Sequence, residues 1–389
     1  MGIYTEYLER NLNFEQLLQE RKKQLKIISN LRGNRDLLVY ASDLTNKTQA
    51  PISIDYSDIL PFKDQLNNLS GNSIDLIIET PGGIAEVVED IVHLVRSKYD
   101  DVGIIIPGTA KSAGTILAMS GNEILMGVSS SLGPIDAQII NNNKRFSADA
   151  FLDGLNKIKD EISQTNKLNP AYIPILQNIS PGEIQHCENA QKFSKILVTQ
   201  WLSKYKFQRW DKHSSTGEPV KPEEKEKRAN EIAEQLCKHS DWLTHGRSIK
   251  IPDLNKMRLL ITDYSKNKEL NEAITRYYTL LRMTLESTNI YKIFETPESQ
   301  IMRFSGANVP PPSPSQNNDA KKVLVDFECP SCKSRYTIQA NLAKGIILEK
   351  GKFPYPKDDK FNCPNCKTQS NLGQIRLQIE AQTRKKIVF

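Results

Sequence analysis

Hydrophobic positions change rhythm along the chain, and the changes mark out its elements. Short apolar runs at Leu37–Ser42, Ser73–Glu79, Val102–Ile106 and Glu123–Met126 predict strands, most of them bounded by turn formers. Between them the spacing is helical. Asp58–Leu69 reads as one helix and Ile84–Ser97 as another, with Val87, Val88, Ile91, Val92 and Val95 at helical intervals. A further helix follows the turn Pro107–Thr109 and runs through Met119. Strands alternating with helices imply parallel strands joined by right-handed crossovers, an α/β layer fold.

The flanks read as helical. Residues 1–32 set Leu8, Leu17, Leu18, Leu25 and Ile28 among polar positions until Arg32-Gly33-Asn34 breaks the pattern, giving an N-terminal helical segment over 1–36. Beyond Phe146, helices are predicted at about 147–165, 181–206, 222–239, 253–260 and 266–288, a helical extension reaching about residue 304. Ser305–Ala320 (SGANVPPPSPSQNNDA) has the composition of a flexible linker. It separates a large unit, residues 1–304, from a small one, residues 321–389.

Composition sharpens this division. At 389 residues the chain exceeds one ordinary core. Its formal charge is +6, but residues 321–389 hold fourteen Lys/Arg against six Asp/Glu, a net of +8, so the basic character belongs to the small unit. The first residues carry acids where a secretory leader needs an apolar core, and Glu6 stands where a myristoylation motif wants Ser or Thr. The most apolar stretch, Gly103–Val128, is interrupted by Lys111, Asn122 and Glu123, which argues against a membrane span. Six cysteines, four of them in two close pairs, point to a reducing cytoplasm and metal binding rather than disulfides.

Two turns carry candidate chemistry. Thr80-Pro81-Gly82-Gly83 joins a strand to a helix, and adjacent glycines let a peptide N–H turn outward beside a helix start. Taken alone, most such pairs are tight turns without a ligand. Thr109–Thr115 (TAKSAGT) again lies between a strand and a helix, which places Ser112 in the first helical turn. A serine there is usually only a cap. Both turns fall at the C-terminal ends of strands in one sheet, where open α/β folds build their sites.

At this point the sequence resembles a known family. ETPGG at Glu79–Gly83, AKSAGT at Ala110–Thr115 and SSLGPIDAQI at Ser130–Ile139, in this order, closely resemble the serine dehydrogenase proteinase family, within the class of Clp proteolytic subunits and signal peptide peptidase A. The resemblance covers residues 30–145 and, more loosely, the helical region to about 290. It implies a ClpP/crotonase-like parallel sheet, Ser112 as nucleophile, and the N–H groups of Gly83 and Ala113 as an oxyanion hole. It also implies a peptide or protein substrate and a homo-oligomer.

The general base departs from the pattern. Clp-type enzymes place a His in the strand after the serine helix, where this chain has Asp136, and no His lies between His93 and His186. Signal peptide peptidases use a downstream Lys, which makes Lys144, Lys157 and Lys159 candidates. Lys111 adjoins Ser112, but successive helical residues point apart. His239 and His245, in HSDWLTHG, lie in a patch that resembles a recurring segment of the family, and Asp136 is equally an orienting residue. The choice stays open among them.

The small unit carries Cys329-Pro-Ser-Cys332 and Cys363-Pro-Asn-Cys366, with Phe327 and Phe361 each two residues before a first cysteine. Two such knuckles close a tetrahedral zinc ribbon with four ligands and no open position, so the Zn2+ is expected to be structural. The 30-residue gap between knuckles calls for an insertion, read as a hairpin around Ile346–Tyr355. A redox role needs a thioredoxin-like pattern that is not visible. Cys187 and Cys237 read as free thiols. Excess Lys/Arg with Tyr336, Phe353, Tyr355 and Phe361 suits nucleic acid, while docking of a substrate or partner protein is the other use of a small ribbon.

The expectation is therefore a cytoplasmic serine peptidase-like hydrolase fused to a zinc ribbon, lacking an ATPase motif of its own. The alternatives are a catalytically silent oligomeric scaffold and an acyl-CoA enzyme of crotonase type.

Overall fold

The structure, a computed structural model, describes residues 2–47, 49–141, 144–213, 216–305 and 321–389, without the side chains of 139–145, 239–240 and 374. The expected linker thus lies outside the described residues except for Ser305.

Seven strands form the central sheet: β1 (Asp36–Ser42), β2 (Ser73–Glu79), β3 (Asp101–Ile106), β4 (Glu123–Met126), β5 (Thr262–Asp263), β6 (Ile290–Glu295) and β7 (Gln300–Phe304). Their spatial order is β7-β6-β1-β2-β3-β4-β5. Strands β1 to β5 are parallel, while β6 runs antiparallel to both β1 and β7. Period-two side chains feed two cores. Leu38, Tyr40, Ile78 and Ile104 face helices Ile59–Asn67, Ala85–Arg96 and Ala113–Met119. Leu37, Val39, Ile77, Ile105 and Leu125 face helices Phe14–Leu31 and Lys268–Ser287. Burial on both faces explains why these strands read as continuous apolar runs.

Two expectations need correction. The sheet is mixed rather than parallel, and the extension over 147–304 ends in the strands β6 and β7 instead of staying helical. The cause is visible in β6. Lys292 and Glu295 interrupt its apolar run in sequence, yet both are buried. Lys292 Nζ donates to Asp58 Oδ2 at 2.7 Å and to the Ser53 carbonyl at 2.7 Å. Glu295 accepts from Arg21 Nε at 3.1 Å and from the Tyr277 hydroxyl at 3.0 Å. Buried charges persist only with such partners, and these lie far away in sequence.

The cysteine unit has its own core of Ile338, Ala340, Leu342, Tyr355, Phe361, Leu372, Ile379 and Ile387. Its main hairpin pairs Lys322–Glu328 with Arg335–Asn341, and a smaller one pairs Lys360–Asn362 with Gln369–Asn371. The region around Ile346–Tyr355 is not a hairpin. It is a turn-rich loop whose Phe353–Pro354 adds in parallel to the Arg335–Asn341 strand. The last helix, Gly373–Thr383, also places Ala381 and Leu377 in the core shared with helices Phe14–Leu31 and Lys268–Ser287. Among the described residues, no helix is long and apolar enough to cross a membrane.

Candidate active site

The two turns meet at the C-terminal ends of β2 and β3. Thr80 N–H donates to the Thr109 carbonyl at 2.9 Å, and Lys111 N–H donates to the Thr80 carbonyl at 3.0 Å. These bonds lash the turns side by side, and missing side chains let them close. A Cβ on Gly82 (φ +103°) would stand 2.7 Å from Ser112 Cβ. A Cβ on Gly83 would stand 2.2 Å from the Ile54 carbonyl oxygen, and one on Gly114 would stand 2.5 Å from Thr80 Cγ2. Real Cβ atoms essentially never approach so closely. Ile54, which sequence reading did not single out, completes the seat. It donates to the Gly82 carbonyl at 2.8 Å and accepts from Ile84 N–H at 3.0 Å. The buried Lys292 holds the adjoining Ser53 carbonyl.

Ser112 is the N-cap of helix Ala113–Met119, one residue before the first helical turn where the sequence placed it. Its backbone angles are φ 50° and ψ −116°, a region that costs a non-glycine residue about 1–3 kcal/mol. Its carbonyl accepts from Thr115 and Ile116, but its side chain makes no capping hydrogen bond. The ordinary reason for a serine at a helix start is therefore missing. A strained strand-to-helix turn of this kind is how a nucleophilic hydroxyl is projected from the top of an α/β sheet. Among the described hydrogen bonds, neither Gly83 N–H nor Ala113 N–H has an acceptor.

Asp136 is buried and accepts from the Ser147 hydroxyl at 2.5 Å and from Gln138 Nε2 at 2.7 Å. His245 approaches from the helical region with Nδ1 at 3.4 Å from Asp136 Oδ2. Two of the base candidates are therefore neighbours. Lys157 and Lys159 are exposed on helix Ala148–Thr165. The side chains of Lys144 and His239 lie outside the described residues. Lys111 points away from Ser112, donating to the carbonyls of Leu132 (3.0 Å) and Arg247 (2.8 Å) and to Ser248 Oγ (3.0 Å). Burial, with a smaller contribution from Lys250, pulls its pKa down to about 8.

Glu79, at the end of β2, is a further titratable group beside these turns. Burial pushes its pKa up to about 7, opposed by hydrogen bonds from Thr109 N–H (2.7 Å) and the Tyr278 hydroxyl (3.0 Å). In the sequence it stands only as the first residue of the ETPGG motif. The burial of both strand faces around it was the missing signal.

The four cysteine sulfurs Cys329, Cys332, Cys363 and Cys366 lie within 4.8 Å of one another. The Cys329–Cys366 and Cys332–Cys363 sulfurs are 3.6 Å apart, too far for a disulfide. Corners of a tetrahedron with metal–sulfur bonds of about 2.3 Å stand ~3.8 Å apart, so the cluster fits one metal ion. The knuckles are local copies. Lys333 N–H donates to the Cys329 carbonyl and Lys367 N–H to that of Cys363, with φ of 59° and 63° at the two lysines.

The layered sheet, with its serine and glycine turns locked together at the strand ends, defines a ClpP/crotonase-like α/β fold. Residues 7–168 match the family of ClpP-like SDH-type serine proteinases, which is what this part of the chain is similar to. Two curated relatives, both uncharacterized proteins of Methanocaldococcus jannaschii, are 35% identical over 88 residues and 36% identical over 66 residues. These alignments cover 23% and 17% of this chain, and 30% and 23% of the relatives, so the chain spans under a third of either. Among solved structures, a mutant of a membrane-bound stomatin-specific protease aligns at 16% identity and TM-score 0.32, over 57% of this chain and 79% of that one. A probable enoyl-CoA hydratase/isomerase from Mycobacterium abscessus aligns at 13% identity and TM-score 0.27, over 64% and 77%.

Proposed function

We propose that the chain is a serine peptidase-like hydrolase in which Ser112 is the nucleophile, His245 the general base and Asp136 the residue that orients it. The observation that carries this reading is Ser112 itself, held in a strained turn with its hydroxyl unspent on capping. Ser112 Oγ attacks the substrate carbonyl while His245 Nε2 takes the proton. Asp136 faces Nδ1, which leaves Nε2 for the nucleophile, the division of labour a Ser-His-Asp triad requires. The N–H groups of Gly83 and Ala113 receive the developing oxyanion, each worth about 3 kcal/mol of barrier. His245 then returns the proton to the leaving amine, and water releases the acyl group by the reverse path.

In this reading the substrate is a peptide or protein, and the working form is a cytoplasmic homo-oligomer. The small unit is a zinc ribbon. Zn2+ held by Cys329, Cys332, Cys363 and Cys366 supplies folding stability and no open ligand position. The ribbon docks the substrate or a partner protein, and its net charge of +8 makes nucleic acid the competing partner. Hydrolysis of an unfolded protein substrate by the full chain, lost in Ser112→Ala, is the expected result. Equal turnover by wild type and Ser112→Ala contradicts the proposal. Salt-sensitive nucleic-acid binding without turnover would favour the silent scaffold.

A further inference from the structure

The loop that carries His245 is bound to the rest of the site by an unusual concentration of lysine contacts. Ile249 and Leu132 pair as an isolated antiparallel bridge, with N–H to carbonyl distances of 2.9 and 3.0 Å. Lys250 reaches back to the carbonyls of Ser129 and Ser130 at 2.8 and 2.9 Å. Lys111 reaches in the opposite sense, from the residue before Ser112. Its three acceptors belong to two segments. Leu132 lies on the stretch leading to Asp136, while Arg247 and Ser248 follow His245.

An ammonium has three protons, and here each has an acceptor. One side chain therefore joins the turn of Ser112, the approach to Asp136 and the loop of His245. Gly133 supplies the passage: a Cβ there would stand 2.4 Å from Lys111 Cδ and 3.2 Å from its Cβ. Thr115, on the helix that follows Ser112, fixes Gly133 by donating to its carbonyl at 2.8 Å and accepting from its N–H at 3.0 Å. The glycine of the third motif and the lysine of the second thus fit each other.

We propose that Lys111 is a positioning residue that locks the His245 loop and the Asp136 segment to the nucleophile turn. This rests on the reading of Ser112 as nucleophile and His245 as base. The clamp keeps base and nucleophile in register through the reaction, where a misplacement of about 1 Å can cost roughly 100-fold in rate. A merely structural lysine in this slot would be cheaper to replace by an apolar side chain of similar length, since half-buried charge has to be compensated.

The test uses the full chain as wild type, Lys111→Met, Lys111→Arg and Gly133→Ala. Two quantities are read: the rate of Ser112 labelling by a fluorophosphonate, and hydrogen exchange of the amides in 245–250. Lys111→Met and Gly133→Ala are expected to slow labelling by roughly 100-fold and to speed exchange in that loop, with the melting temperature of the sheet retained. Lys111→Arg, which keeps the charge and donors, is expected to recover part of both. Wild-type labelling with unchanged rate or unchanged loop exchange in Lys111→Met overturns the clamp alone. Failure of the wild type to label overturns the nucleophile reading, and the positioning role falls with it.

Discussion

The cysteine knuckles and the serine turn are both built from short motifs, but they close in different ways. Each knuckle is nearly complete in itself, because Lys333 and Lys367 fold back onto the first cysteine of their own motif. The serine turn is nothing by itself. Its shape depends on Gly82 and Thr80 at the end of β2, and its candidate base comes from a distant helical region. Local closure makes a ligand set. Closure through the whole sheet makes a strained turn with a half-buried serine whose hydroxyl is not spent on capping.

That contrast breaks most strongly on metal removal. With the proposed zinc in the cysteine cluster, chelation, or Cys363→Ser, is expected to unfold the cysteine unit, since a structural zinc supplies about 10–16 kcal/mol in small metal-folded units. Peptide-resolved hydrogen exchange should show residues 321–372 losing protection while β1 to β4 keep theirs. Collapse of both units together would mean that Ala381 and Leu377 join them into one cooperative body.

Within the serine region, His245→Gln is expected to lower the rate of substrate hydrolysis by roughly 100- to 10,000-fold, the range for losing a general base. Asp136→Asn should act in the same direction with the fold retained, because Asn keeps an acceptor for Ser147. A variant of His245 with wild-type turnover would remove it from the mechanism and return the choice to the other candidates.

Glu79 gives the serine region a pH signature of its own. Its carboxyl titrates near pH 7 in the fold against 4.5 ordinarily. The folded state therefore holds a proton that the unfolded chain has already lost across this interval. Its contribution to stability is complete below about pH 4.5 and lost as pH rises through 7, a change of about 3 kcal/mol. Glu79→Gln, which stays neutral, should melt at a higher temperature than wild type above pH 7 and lose the advantage in acid. Equal pH dependence of the two proteins by calorimetry would contradict the buried, raised carboxyl.

The smallest effect expected is that of Gly82→Ala. Its Cβ would crowd Ser112 and the Lys111 carbonyl, costing about 1–3 kcal/mol of overpacking. Unchanged thermal stability would show that the two turns are less tightly locked than the contacts imply.

How far the chain could be read in advance follows the same division. Strands β1 to β4 and the knuckles announce themselves by local runs and spacing. β6 did not, because Lys292 and Glu295 look like surface residues until Asp58 and Arg21 are beside them. The meeting of Asp136 with His245 had no sequence signal, since it depends on where a helical loop returns to the sheet. Nor could the sequence show that Ser112 sits before the helix with positive φ, or that Lys111 turns outward to serve three acceptors. Interactions closed within a few residues are legible. Those closed through the fold are not.

In the proposed mechanism the fold activates Ser112. Its most direct test is to treat the metal-loaded full chain with a fluorophosphonate and map the adduct by mass spectrometry, beside Ser112→Ala. A single adduct on Ser112 that vanishes in the variant is the expected result. Folded wild-type protein that takes up no probe, or takes it up equally in Ser112→Ala, would contradict it.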